Sequence, residues 1–319
     1  MVKYIFKRLG LAVMTLFIIM TMCFFLIKSL PLEVRVNVGE DAAKVEAIIQ
    51  ARGYRDPILK QFVSYLSRIV KGDWGIGINM ETNSKVTDVF LRRLPPTMLL
   101  NVYSMLFSVP IGLGLGIWAA LKKNKLTDHV ISTGVMIFIS VPSYVYAFLV
   151  QYLLCFKIFN LPLMMSSLND AGGTYFSWTM FRSMIPAILS LSFGTIAGFA
   201  RYTRAELTEV LTSEFMLLAR TKGLTRGQAT VRHALKNAMV VIFPMILGEF
   251  IGIIGGSLII EQIFAVPGVG QLYLNSINSL DYDFFMMLST FYTGIGLLAG
   301  LIGDLSYGII DPRIRMGAR

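Results

Sequence analysis

The stretch Ser213–Asn237, SEFMLLARTKGLTRGQATVRHALKN, places Glu214, Arg220, Lys222, Arg226, Arg232 and Lys236 in the middle of an apolar chain. It is the key to the architecture, because the runs on either side are built for lipid. Leu207, Val210, Leu211, Phe215 and Leu218 recur at helical spacing, which predicts an amphipathic helix from Ala205 to Lys222 with one buried and one charged face. Gly223 can end that helix in a left-handed conformation. Thr225 and Gln228 then form a T-x-x-Q capping box, which starts a second helix toward the next apolar run. Two readings are open on these residues: a rigid hairpin that passes movement between a soluble partner and membrane helices, or a solvated connector whose basic residues follow topology.

The flanks establish the membrane class. Of 319 residues, 55% are hydrophobic and 15% charged, and the mean hydropathy is +0.65, outside the usual globular mix. A helix needs about 20 apolar residues to cross the hydrocarbon core, where lipid offers no partner for unpaired backbone groups. Six runs qualify: Leu9–Leu30, Thr97–Leu121, Val130–Leu154, Met184–Phe199, Ala238–Ile260 and Phe284–Ile310. The first follows Lys3, Lys7 and Arg8 and lacks a small-residue cleavage site, so it is expected to stay as an anchor. The fourth is short and interrupted by Pro186, Gly194 and Gly198, which points to a bundle whose neighbours satisfy the freed backbone. Lys122, Lys123, Lys125, Arg201, Arg204 and the polar stretch share one side with Arg313, Arg315 and Arg319, so both termini are expected to be cytoplasmic.

Several function classes lose support here. Cys23 and Cys155 lie in apolar surroundings without ligand spacing, and His129 and His233 flank apolar segments in basic loops, so no metal site is expected. The net charge of +10 is spread along the chain rather than gathered with aromatics into a nucleic-acid groove. No G-x-x-x-x-G-K-[ST] phosphate loop occurs, and no catalytic residues are assigned. The acidic pair Asp281 and Asp283 is placed in an outer loop beside aromatic residues.

The segment from Pro31 to Pro96 reads as a small folded insert. Within it, Asp56 is expected to cap a helix beginning at Pro57, with Ile58, Leu59, Phe62, Val63, Leu66, Ile69 and Val70 on one face and Gly72 at its end. This helix either covers the bundle surface or docks an external partner. In the spans, Gly248, Gly252 and Gly256 repeat every four residues, as do Gly112 and Gly116, a spacing that permits close helix contact. Glu249 falls midway along the fifth expected span, where an ionised group costs about 2.5 to 3.5 kcal/mol. It is expected to face the bundle interior, a water-filled path or a basic partner. Asp304 is expected to pair with Arg201 or Arg204, and Asn101 and Gln151 to bond between helices.

LLARTKGL at 217–224, followed by RHALKNA at 232–238, resembles the signature of membrane subunits in binding-protein-dependent ABC importers, most closely the first permease subunit of the oligopeptide and dipeptide group. Ala219 and Gly223 occupy the signature's small residue and glycine, while Leu217 and Leu218 replace the acidic residue and alanine of its general form. KRLGLAV, GDWGIGI, RLPPTMLL, EQIFAVPGVGQL and DPRIR extend the match along the chain. The resemblance implies an all-α integral membrane protein of type I ABC importer permease fold. Its units would be an N-terminal span to residue 30, an extracytoplasmic insert over 31–96, and a five-helix core over 97–319 with a coupling segment at 201–237. It also implies a peptide path without catalysis by this chain, with Ala219, Arg220, Thr221, Lys222, Gly223, Leu224 and Thr225 inserted into a groove on an ATPase. ATP and magnesium would sit on two ATPase subunits. A second homologous permease, a substrate-binding lipoprotein and membrane lipid complete the expected partners, and nucleic acid is not one of them. Nickel chelates or sugars are the alternative cargoes. A self-sufficient secondary transporter or channel is the alternative class.

Overall fold

The computed structural model describes residues 2–31 and 42–310, and every structural statement below concerns those residues. Arg313, Arg315, Arg319 and the DPRIR motif lie outside them. The elements are helical: α1 (Val2–Lys28), α2 (Ala42–Ala51), α3 (Ile58–Val70), α4 (Val86–Leu121), α5 (Leu126–Ser140), α6 (Ser143–Val150), α7 (Trp178–Leu211), α8 (Glu214–Thr221), α9 (Arg226–Ala229), α10 (Leu235–Gly252), α11 (Leu258–Ile263), α12 (Val269–Asn278) and α13 (Tyr282–Ile310). Two π-helical stretches, Gln151–Ile158 after α6 and Thr230–Ala234 between α9 and α10, keep the chain helical across those joints.

Five helices are long and apolar enough to cross a membrane: Ile5–Lys28, Val86–Leu121, Trp178–Leu211, Arg226–Gly252 and Tyr282–Ser306. The bent pair of α5 with α6 and its π-helical extension raises the number to six. Its halves meet at 105°. The straight span expected over 130–154 is therefore broken at Val141–Pro142, because the residue before a proline is driven out of the helical region and Val141 is extended. The fourth span is longer than expected. Pro186 stands early in α7, where it removes one hydrogen bond without ending the helix, and Ser190 Oγ donates to its carbonyl at 2.7 Å.

Two compact units divide the chain. Among the described residues, one comprises Pro96–Val266 with 298–310; the other comprises Val2–Pro95 with Pro267–Leu297. In the first, α4 and α7 are seamed by Ser104 Oγ and Ser192 Oγ at 3.1 Å. A Cβ on Gly112 would stand 2.7 Å from Phe199 Cβ, and one on Gly116 would stand 2.6 Å from Thr203 Cβ. These two glycines do permit the close helix contact that their spacing suggests. Arg204 of α7 and the buried Asp128 of α5 form a fork, with Arg204 Nη2 2.8 Å from Asp128 Oδ2. The same carboxylate accepts the Asn124 N–H at 2.9 Å, fixing the turn that starts α5. Asp128 thus replaces Asp304 as the partner expected for Arg204.

In the second unit, α1 packs Phe24 and Ile27 against Tyr65 of α3 and Tyr282 and Met286 of α13. The expected apolar face of α3 is divided. Phe62, Leu66 and Ile69 join this cluster, whereas Leu59, Val63 and Val70 are exposed. Asp56 does not cap α3. Its carboxylate pairs with Lys60 at 3.0 Å, and no side chain caps the helix start at Pro57.

Asp281 and Asp283, expected in a loop, are buried. Asp281 Oδ2 accepts the N–H groups of Ile78, Asn79 and Met80 at 2.8, 2.8 and 3.0 Å. Asp283 accepts the Ile76 N–H at 3.2 Å and the Tyr54 hydroxyl, and lies 3.9 Å from Arg68 Nη1. Lys28 sits 4.2 Å from the centre of the Tyr282 ring. The GDWGIGI stretch is therefore folded over a pair of carboxylates. Gly75 has φ +93 and its missing Cβ leaves room for the Asp283 carboxylate, so a side chain there would meet both backbone strain and overlap.

Candidate functional site

The polar segment folds into the hairpin that its capping signals predict, with one change of register. α7 ends at Thr212, whose hydroxyl lies 2.9 Å from the Glu209 carbonyl, and Ser213 Oγ donates to the Val210 carbonyl at 2.6 Å. These bonds satisfy carbonyls that a continuing helix would have used, and α8 starts afresh. The single amphipathic helix over 205–222 is thus two helices. Phe215 and Leu218, expected on the buried face, are exposed, and Met216 and Ala219 are buried in their place.

Ala219 and Met216 pack in a cluster with Val109 of α4, Phe199 and Leu207 of α7, and Ala229, Ala234, Ala238 and Ile242 further along the chain. Leu224 is half-buried against the same cluster. The tip is exposed: Arg220, Thr221, Lys222, Gly223 and Thr225 all face outward. Gly223 has φ +92, and the capping box is complete, with the Gln228 N–H 3.3 Å from Thr225 Oγ1 and the Thr225 N–H 3.1 Å from Gln228 Oε1. From Arg226 the chain is helical to Gly252. A small, fixed turn is therefore carried on a packed base, with apolar Leu217 and Leu218 and basic Arg220 and Lys222 exposed around it.

The second feature lies at the far end of that helix. α10 stops at Gly252, short of the expected Ile260, and residues 253–257 turn before α11. Gly256 has φ +67 and is outside any helix, so it does not continue the expected glycine stripe. Gly248 and Gly252 have no atom within 4 Å of where a Cβ would stand, so neither makes the close helix contact that the spacing suggests. The turn is pinned instead by α4: Asn101 Nδ2 donates to the carbonyls of Thr97 and Ile253, both at 3.0 Å, and Thr97 Oγ1 donates to the buried Glu261 at 2.9 Å. Asn101 thus ties α4 to the end of α10. Gln151 instead donates to the loop carbonyl of Leu163 at 3.2 Å.

Beside this turn is a cavity of about 170 Å³ lined by Asn101, Ser104, Thr195, Glu249, Gly252 and Gly256, among others. Glu249 is half-buried in the last turn of α10 rather than midway along a span. Sequence reasoning gives no role to Asp128, Glu261, Thr97, Asp281 or Asp283. The available signal is the presence of acidic residues at the ends of apolar runs, which require partners even when those partners are far along the chain.

These features define a multi-span α-helical membrane protein with a polar hairpin between two spans and a polar cavity at a helix break. The chain belongs to the family of binding-protein-dependent transport system inner membrane components: the family model of that description matches residues 112–316, and the model for the N-terminal part of such components matches residues 1–101. It is accordingly a multi-pass protein of the cytoplasmic membrane. It is 33% identical over 316 residues to the dipeptide transport system permease protein DppB of Lactococcus lactis subsp. cremoris, covering 99% of this chain and 100% of that one. The oligopeptide transport system permease protein OppB of Haemophilus influenzae matches with the same identity and coverage. Among solved structures, inward-facing MetNI methionine ABC transporter matches at 16% identity and TM-score 0.49, covering 69% of this chain and 97% of that one.

Proposed function

We propose that this chain is a non-catalytic permease subunit of an ATP-driven importer and forms part of the path for peptides delivered by a substrate-binding lipoprotein. It works beside a second, homologous permease and two ATPase subunits that hold ATP and magnesium. Both termini and the polar hairpin face the cytoplasm. The observation that carries this reading is the construction of the hairpin: Met216 and Ala219 anchor it in the bundle while Arg220–Gly223 and Thr225 stand exposed at its tip. A groove on the ATPase receives that tip, and the nearly unbroken helix from Arg226 to Gly252 carries displacement from the tip to the cavity. The relatives named as dipeptide and oligopeptide permeases support peptides as the cargo.

The test is affinity purification of the tagged chain from its native membrane, followed by mass spectrometry and reconstitution into liposomes. A second permease, ATPase subunits and a binding protein should copurify, and peptide uptake should require ATP. Recovery of this chain alone, active without ATP, would establish a single-chain transporter instead.

A further inference from the structure

Glu249 differs from Asp128, Glu261, Asp281 and Asp283 in having no bonded partner among the described residues. Asp128 is forked by Arg204, Glu261 accepts from Thr97, and Asp281 and Asp283 accept from backbone N–H groups of residues 76–80. Among the described residues, none hydrogen-bonds or pairs with the Glu249 carboxylate. Its depth makes this costly. Glu249 lies 13 residues beyond Lys236, the last cation before the apolar run, or about 20 Å along a helix, in a hydrocarbon core about 30 Å thick. A carboxylate at such depth is stable only against water or a cation.

The cavity around it supplies acceptors rather than cations. Both N–H groups of the Asn101 amide are taken by the carbonyls of Thr97 and Ile253, which leaves its carbonyl oxygen to offer. Ser104 and Thr195 add hydroxyls, and Gly252 and Gly256 add no side chain to the lining. At about 170 Å³ the space holds a few waters or one small charged head group, but not a whole peptide. The turn at 253–257 is held from α4, so the acceptors stay in place. This is a pocket with several polar acceptors and an acidic side chain in its wall.

On the reading of the chain as a peptide permease, we infer that the Glu249 pocket is a transit site for the free α-ammonium group of the peptide. The carboxylate supplies the counter-charge, and the Asn101 carbonyl with the Ser104 or Thr195 hydroxyl completes the acceptor shell of an ammonium's three N–H donors. The side chains of the cargo remain outside the pocket, so the site recognises a group common to peptides of any sequence.

The test uses the complete transporter with its binding protein in liposomes and a mixture of peptides of two to six residues, half of them N-acetylated, with lumenal contents read by mass spectrometry. The binding protein is unchanged between samples, so its own preference cancels when wild type and Glu249→Gln are compared. The variant should lose at least 10-fold in uptake of free peptides relative to acetylated ones, and Glu249→Asp should retain most of the preference. In parallel, wild-type transporter arrested with vanadate is irradiated with a peptide bearing photo-leucine at its free amino-terminal residue; adducts should fall on Glu249, Asn101 or Thr195. An unchanged preference with adducts on other helices overturns the inference. So does loss of the second permease from purified Glu249→Gln complex, which would make Glu249 half of an interface pair. Absence of ATP-dependent uptake of any peptide by wild type would remove the peptide reading itself, a result distinct from these.

Discussion

Replacing Gly223 and Gly227 separately with alanine gives a matched test of the hairpin tip. Both glycines are exposed, and neither has an atom within 4 Å of the place a Cβ would take, so steric overlap contributes nothing to either change. They differ in backbone. Gly223 stands at φ +92, a conformation that costs an L-residue about 1 to 2 kcal/mol, whereas Gly227 lies inside α9, where alanine is favoured over glycine by about 1 kcal/mol. If the strained turn of Gly223→Ala relaxes to another shape, the docking-competent form becomes rarer by the same free energy. Apparent affinity for the ATPase falls by that fraction, which is about 5- to 30-fold for 1 to 2 kcal/mol. Titration of detergent-solubilised permease pair with purified ATPase measures this directly. Gly223→Ala should weaken binding within that range and lower transport, while the variant remains in the membrane with unaltered thermal stability of the spans. Gly227→Ala should bind as wild type or slightly better. Equal affinity of the two variants would show that the left-handed turn does not present the tip.

Gly75→Ala should unfold the segment over 73–80, because the new methyl occupies the place of the Asp283 carboxylate and meets φ +93; hydrogen exchange should show lost protection of the Ile76–Met80 amides. Burial pushes the Asp281 carboxyl up to about 6 against the pull of its three N–H donors. The folded state therefore binds this proton more tightly than the unfolded state, so stability of this unit should rise as pH falls from 7 through 6 toward 4. Asp281→Asn should flatten that dependence, and a stability that rises with pH in this window would contradict the assignment. Arg204→Met should cost up to about 3 kcal/mol by stranding the buried Asp128, and the double change with Asp128→Leu should recover most of the lost thermal stability. A Cβ on Gly252, which lines the cavity, has no atom within 4 Å, so Gly252→Leu should fill part of the cavity and slow transport with little change in melting temperature.

The existence of the spans is legible in the sequence because each is a long apolar run, and the hairpin is legible because Gly223, Thr225 and Gln228 each carry a local backbone signal. Breaks inside apolar runs are harder to read. Val141–Pro142 and Gly252–Gly256 both fall inside apolar runs, yet both places interrupt a helix. Pro142 is a local signal at the first, but not one that separates it from Pro186, which α7 accommodates. At the second, the decisive contacts come from Thr97 and Asn101, more than 150 residues earlier. The amphipathic pattern over 205–222 fails for a local reason: Thr212 and Ser213 bond back to α7 carbonyls, and the buried stripe restarts at Met216.

Charge placement connects these particulars. In a chain with few acidic residues among its apolar runs, Asp128 and Asp283 each support a backbone feature and face a cation, at the start of α5 and in the folded GDWGIGI stretch, while Glu261 ties α11 to α4 through Thr97. Each is held by residues distant in sequence, so the cost of burying a carboxylate enforces one arrangement of the helices. Glu249 bears that cost without such a return. It stands in the last turn of the helix that begins at the hairpin, beside a turn whose shape is fixed from α4. A shift of the hairpin tip along this helix would move the carboxylate relative to the Asn101 carbonyl, closing or opening the acceptor shell. The same rigid element would then couple occupancy of an ATPase groove to affinity for a cation in the cavity, and a ligand that binds one geometry of the pocket better must shift the tip toward it in return.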